Sequence, residues 1–133
     1  MTSGFWLALV TGRLLITLVP PSVPEGTIVL TGAGVAAVGL LAATAGPLAP
    51  WAYLVTGLAI APIFPTGIVW LAKLRPGDSR ATSWLFPAAS IGGIAGPAAI
   101  GIVIAQAGVI WAPTVLAVVA IGMSIAFFVA AKR

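Results

Sequence analysis

The chain has no cysteine and no histidine, and only two of its 133 residues are acidic. Without cysteine there are no disulfides, no thiol nucleophiles and no thiolate metal ligands. Without histidine the side chain that most often serves as a base near neutral pH is gone as well. Paired carboxylates and a phosphate-cradling glycine loop beside a lysine are also missing. No residue is therefore assigned a catalytic or metal-binding role, no cofactor is implied, and an enzyme is not expected. Charge of either sign is scarce, at 6% of residues. The sequence pI near 10.9 records a shortage of acids, not the dense Lys/Arg patch with which a nucleic-acid binder neutralises phosphates, so nucleic acid is not an expected partner.

What the chain does have is apolar surface: 61% of its residues are hydrophobic and its mean hydropathy is +1.21. Six basic and two acidic side chains cannot cover a water-soluble fold of this size, so the expected solvent is a lipid bilayer. With a spanning helix of about 20 residues as the ruler, five apolar segments emerge, at about 4–19, 27–46, 51–72, 80–105 and 113–131. The breaks between them read "PPSVPEG", "GPLAP", "KLRPGDSR" and "QAGVIWAP", rich in proline and glycine where helices stop. In the third break Pro76 and Gly77 suit a turn, and Asp78 or Ser79 suits the cap of the next helix. No segment alternates polar and apolar residues as barrel strands do. The expected fold is all-α, a single polytopic bundle of five transmembrane helices.

The bases set an orientation. Lys73, Arg75 and Arg80 share one break, and Lys132 and Arg133 follow the last segment two crossings later. By the positive-inside rule that face is cytoplasmic, which puts the C-terminus inside and the start of the first helix outside; a bacterial inner membrane is the expected location. The start "MTSGFWLALVTGR" has neither a basic leader region nor a small-residue cleavage site, so the first helix is expected to stay on the protein. It is short and carries Arg13, and an outside start on such a helix leads us to expect further sequence before Met1.

Four features invite a functional reading. Pro62 and Pro65 interrupt the third segment in "GLAIAPIFPTG". There a proline either makes a packing kink or unwinds the helix and exposes the carbonyls of Leu58 and Ala61 at a midplane binding site. In the fourth segment Ala88, Gly92 and Gly96 form one small-residue row, and Ala89, Gly93, Pro97 and Gly101 form another. Such rows allow close helix packing. Arg13 is the one charge deep inside a span, at a cost on the order of 2.5 to 3.5 kcal/mol. Because Glu25 and Asp78 both lie in breaks, Arg13 must snorkel, bond carbonyls, bind an anionic solute group or pair with an acid on another helix. Trp6, Trp51, Trp70, Trp84 and Trp111 sit mostly near segment ends, as an interfacial belt would. A proton relay lacks the Asp, Glu or His it would need within the spans.

"FWLALVTGRLLITLV", a glycine-rich helix, "GLAIAPIFPTGIVWLAKLRPGDSRATSWLFPAASIGGIAGPAAIGIVIAQAG" and a final apolar helix together resemble the last five helices of a major facilitator superfamily transporter, near its sugar-permease-like branch. Gly12-Arg13 resembles the "GR" of helix eight, "APIFPT" the proline-broken tenth helix and "SIGGIAGPAAIG" the eleventh. The resemblance implies alternating access for a small solute, with helices eight, ten and eleven on the cavity wall and nine and twelve peripheral. It makes Arg13, Phe64, Thr66 and Trp84 the candidate solute-binding residues, Pro62 and Pro65 the helix kink, and Gly92, Gly93, Gly96 and Gly101 the packing row. The expected partners are the bilayer, the solute, and either missing N-terminal helices or another membrane protein. The cytoplasmic turn after helix eight, where the family has a "DRxG"-like motif, here reads "PPSVPEG", which puts that motif's conformational latch in doubt. The competing expectation is a stand-alone small membrane protein, an oligomerising or partner-binding subunit that docks through the glycine rows.

Overall fold

In the computed structural model, which describes residues 2–132, helices fill the apolar segments and the turns fall at prolines and glycines. Helix α1 (Thr2–Leu15) runs on into a 3-10 turn, Ile16–Leu18, and stops before Pro20 and Pro21. Pro24 precedes α2 (Glu25–Ala43), beyond which Gly46 takes the left-handed conformation (φ 62°) that other residues avoid. The third segment is two helices, α3 (Ala49–Ile60) and α4 (Ile63–Leu74). Gly77 makes the turn after α4 with φ 84°. Asp78 Oδ1 then accepts a hydrogen bond from the Arg80 N–H at 3.1 Å, capping α5 (Ser79–Ala107) as the sequence suggests. After Gly108 and a 3-10 turn, α6 (Ala112–Ala131) closes the chain, with Pro113 in its first turn.

Among the described residues there is no strand. Four helical stretches of the described residues are long and apolar enough to cross a membrane: Glu25–Ala43, Ala49–Leu74, Thr82–Ala107 and Val109–Ala130. Ser3–Leu18 is apolar but shorter.

Helix α2 is the centre of the packing, with α3, α4 and α6 against it, while α1 lies along α3. Lipid tails are as apolar as the side chains, so helices in a bilayer gain little from hiding them and associate instead by close approach. The buried residues match that requirement. They are mostly alanines, including Ala33, Ala36, Ala37 and Ala43 of α2 and Ala117 and Ala120 of α6, with Val29 the largest fully buried side chain. Hydroxyls inside the bundle bond back to their own helix, Thr56 to the Ala52 carbonyl at 2.8 Å and Ser124 to that of Ala120 at 2.8 Å.

Helix α5 stands apart. It touches α4 and α6 sparsely, and none of its apolar stretch is buried. The expected packing row is not engaged within this chain: a Cβ on Gly92, Gly93, Gly96 or Gly101 would meet no atom within 4 Å. The close approaches are made by other glycines. A Cβ on Gly12 would lie 2.6 Å from the Leu58 oxygen, one on Gly32 2.6 Å from the Ala59 oxygen, and one on Gly39 2.5 Å from Thr56 Oγ1.

Candidate functional site

The third segment is broken between α3 and α4. Twelve residues of α3 precede the break and twelve of α4 follow it, so the interruption falls at the centre of a helical pair about 39 Å long, enough to cross a bilayer. Pro62 has no N–H to give the Leu58 carbonyl, and Pro65 has none for Ala61. The break itself lies at Ala61 and Pro62, while Pro65 sits in the first turn of α4, where a missing N–H costs nothing. Of the two expected kink residues, only Pro62 stands at the interruption.

The Leu58 carbonyl, freed by Pro62, is met by α1. The hydrogen that Gly12 carries in place of a Cβ points at the Leu58 oxygen, and that of Gly32 on α2 points at the Ala59 oxygen. These are the Cα–H donors of close helix contacts, each worth about 0.5–1 kcal/mol. Two neighbouring helices thus cover the carbonyls of the last turn of α3. Gly57 adds a third contact, its absent Cβ leaving room for the Phe5 ring and Ala8 of α1. Below the break the holds are different. Trp70 packs over Gly26 and beside the Phe127 ring, with ring centroids 6.3 Å apart. Lys73 pairs with Glu25 across 2.5 Å, tying the last turn of α4 to the head of α2.

Gly12 also fixes the depth of its neighbour. Because α1 crosses α3 at Leu58 and Ala61, Arg13 lies level with the break, on the exposed side of α1. Both acids are engaged elsewhere, Glu25 with Lys73 and Asp78 at the head of α5.

Among the described residues, three cavities border these elements. The largest, about 540 Å³, lies between α1, α2, α3 and α6 and is lined by Phe5, Leu40, Tyr53, Thr56, Leu116 and Met123 among others. A second, about 370 Å³, lies under the turn after α1 and is lined by Pro20, Glu25, Pro65, Thr66 and Lys73 among others. A third, about 260 Å³, is a recess on α5 formed by Arg80, Ser83, Trp84 and Pro87. The four candidate solute-binding residues are therefore not gathered into one pocket. Thr66 is buried in the second cavity, Trp84 is 72% exposed at the third, and Arg13 and Phe64 line none of the three. Phe64 instead meets Phe86 of α5 edge-on, ring centroids 6.1 Å apart.

Tyr53 and Thr56 did not stand out from the sequence, although a tyrosine and a threonine three residues apart on an apolar helix mark one face that carries polar atoms. The Glu25–Lys73 pair spans 48 residues and left no local pattern to read. Among the described residues no group of three or more His, Cys, Asp or Glu is placed to hold a metal ion. No family model, no curated protein and no solved structure matches the chain.

Proposed function

We propose that this chain is the C-terminal membrane part of a secondary transporter that moves a small solute by alternating access, seated in a bacterial inner membrane with its C-terminus cytoplasmic. The observation that carries this reading is the break at Ala61 and Pro62. It divides one span at its midpoint into two halves held by different means, α3 by glycine contacts from α1 and α2, α4 by Trp70 and the Lys73–Glu25 pair. No helical hydrogen bond joins Pro62 to Leu58, so α4 pivots on α3 at less cost than a continuous helix would bend. Such a joint lets one side of a membrane cavity open while the other stays shut.

The distribution of covered faces supports the same reading. The major facilitator resemblance assigns α2 and α6 to the peripheral helices nine and twelve, and these two pack on each other. The helices assigned to the cavity wall, α1, α4 and α5, carry Arg13, Phe64 and Trp84 exposed, with Phe64 touched only at its edge by Phe86. Missing N-terminal helices would cover them; in the competing reading, a partner subunit or a second copy would do so.

The experiment is to tag the gene at its chromosomal 3′ end and probe membranes with an antibody to the tag. A band several-fold above 13.3 kDa, together with solute uptake lost on deletion, is the expected result. A band at the size of this chain, migrating natively in a larger complex, overturns the transporter reading in favour of a subunit.

A further inference from the structure

We infer that the solute handled by this bundle is an anion, with carboxylate or phosphate oxygens, and that the Arg13 guanidinium is its counter-charge; this rests on the transporter reading above. The depth of Arg13 carries the inference. Gly12 is pressed on Leu58 and Ala61, at the midpoint of the 26-residue span Ala49–Leu74. From there either headgroup layer is roughly 15 Å away, half the hydrocarbon thickness, which is farther than an arginine stem reaches. Snorkelling, the ordinary escape for an arginine near a span end, is closed to it.

A charge at that depth needs a counter-charge or a water-filled cavity. The chain supplies no carboxylate at that depth: Glu25 is the first residue of the span Glu25–Ala43 and Asp78 lies in the turn before α5, and both are occupied. The side chain is exposed, and so are Val10 and Thr17 one turn to either side. Arg13 therefore lies on an uncovered face and not in a slot against α3. A guanidinium on such a face, with five donors in a planar fork, is matched by a carboxylate or phosphate and poorly matched by a neutral sugar. A lipid phosphate offers the same oxygens, and the depth of Arg13 disfavours it.

The test uses the full gene product, purified and placed in nanodiscs of phosphatidylcholine alone. Thermal melts followed by tryptophan fluorescence are recorded with millimolar succinate, inorganic phosphate or glucose, for the wild type, Arg13→Lys and Arg13→Gln. The expected result is a rise in Tm of several degrees with succinate or phosphate in the wild type, a smaller rise in Arg13→Lys and none in Arg13→Gln, with glucose inert. Arg13→Lys keeps the charge and so guards against a variant that simply fails to fold. Absence of any anion-dependent rise in the wild type overturns the inference, as does an equal rise in Arg13→Gln. If the rise instead needs phosphatidylglycerol in the disc and no added anion, Arg13 serves a lipid phosphate and the solute assignment falls. A glucose response indifferent to Arg13→Gln removes the anion and leaves the transporter reading intact, whereas a blot at the size of this chain removes the transporter reading whatever Arg13 does.

Discussion

Replacing Gly12 by alanine tests the helix contact on which the depth of Arg13 and the covering of the break both depend. The new Cβ would lie 2.6 Å from the Leu58 oxygen, 2.7 Å from the Ala61 Cβ and 3.2 Å from the Leu58 Cα. None of these atoms is the end of a flexible side chain, so relief requires α1 to move off α3 by most of an ångström. Overpacking of this kind costs about 2 kcal/mol, and loss of the Cα–H contact adds about 0.5–1 kcal/mol. Alanine is the better helix former by about 1 kcal/mol, which offsets part of the loss. The net expectation is a destabilisation of about 2 kcal/mol. Gly92→Ala is the matched control: its Cβ meets nothing within 4 Å, so only the gain of about 1 kcal/mol in helix propensity remains. Far-UV circular dichroism melts of the 133-residue chain in mild detergent should place Gly12→Ala several degrees below the parent and Gly92→Ala at or slightly above it. Equal melting of the two variants would refute the claim that α1 is seated on α3 by the absence of a Cβ.

Other variants separate the remaining contacts. Pro62→Ala restores an N–H that can reach the Leu58 carbonyl, so a pair of spin labels at Val55 and Val69 should read a longer distance as α3 and α4 straighten; an unchanged distance means that Pro62 does not set the break. Glu25→Gln removes the partner of Lys73, whose side chain is 64% exposed, so the loss should stay below about 1 kcal/mol and be mimicked by high salt. A drop as large as that of Gly12→Ala would show the pair to be shielded from solvent. Phe86→Ala deletes the edge-on contact with Phe64, worth about 0.5–1.5 kcal/mol beyond its buried area, and a spin label on α5 should become more mobile; unaltered mobility would place the hold on α5 elsewhere.

The all-helical, membrane-type character was legible because it rests on composition and on punctuation, and both are local. Gly77 and Asp78 show this well: a turn residue followed by a capping carboxylate identified the start of α5 from four letters of sequence. The break was half legible. Pro62 and Pro65 look alike in the sequence, and only the helix phase in three dimensions shows that Pro65 falls in a first turn where its missing N–H costs nothing. Which glycines would pack was not legible at all. Gly92 and Gly96 have the regular spacing of a packing row and face nothing within this chain, while Gly12, Gly32 and Gly39, spread over two helices, carry the contacts. Spacing reports which residues share a face, and the partner of that face is set by tertiary placement. The candidate site suffered the same limit: Arg13 was visible as a lone charge, but its depth came from the carbonyl its neighbour touches.

The glycines at positions 12, 32 and 39 also bear on how this gene can change. Every amino acid reachable from a glycine codon by one base substitution carries a Cβ, so at these positions no missense step is small: even alanine sets an atom within 2.7 Å of a backbone oxygen or a threonine hydroxyl. At Gly92, Gly93, Gly96 and Gly101 the same codons meet open space within this chain. Missense drift in the first set thus costs stability from its smallest step, and the second set varies only as freely as whatever covers α5 permits.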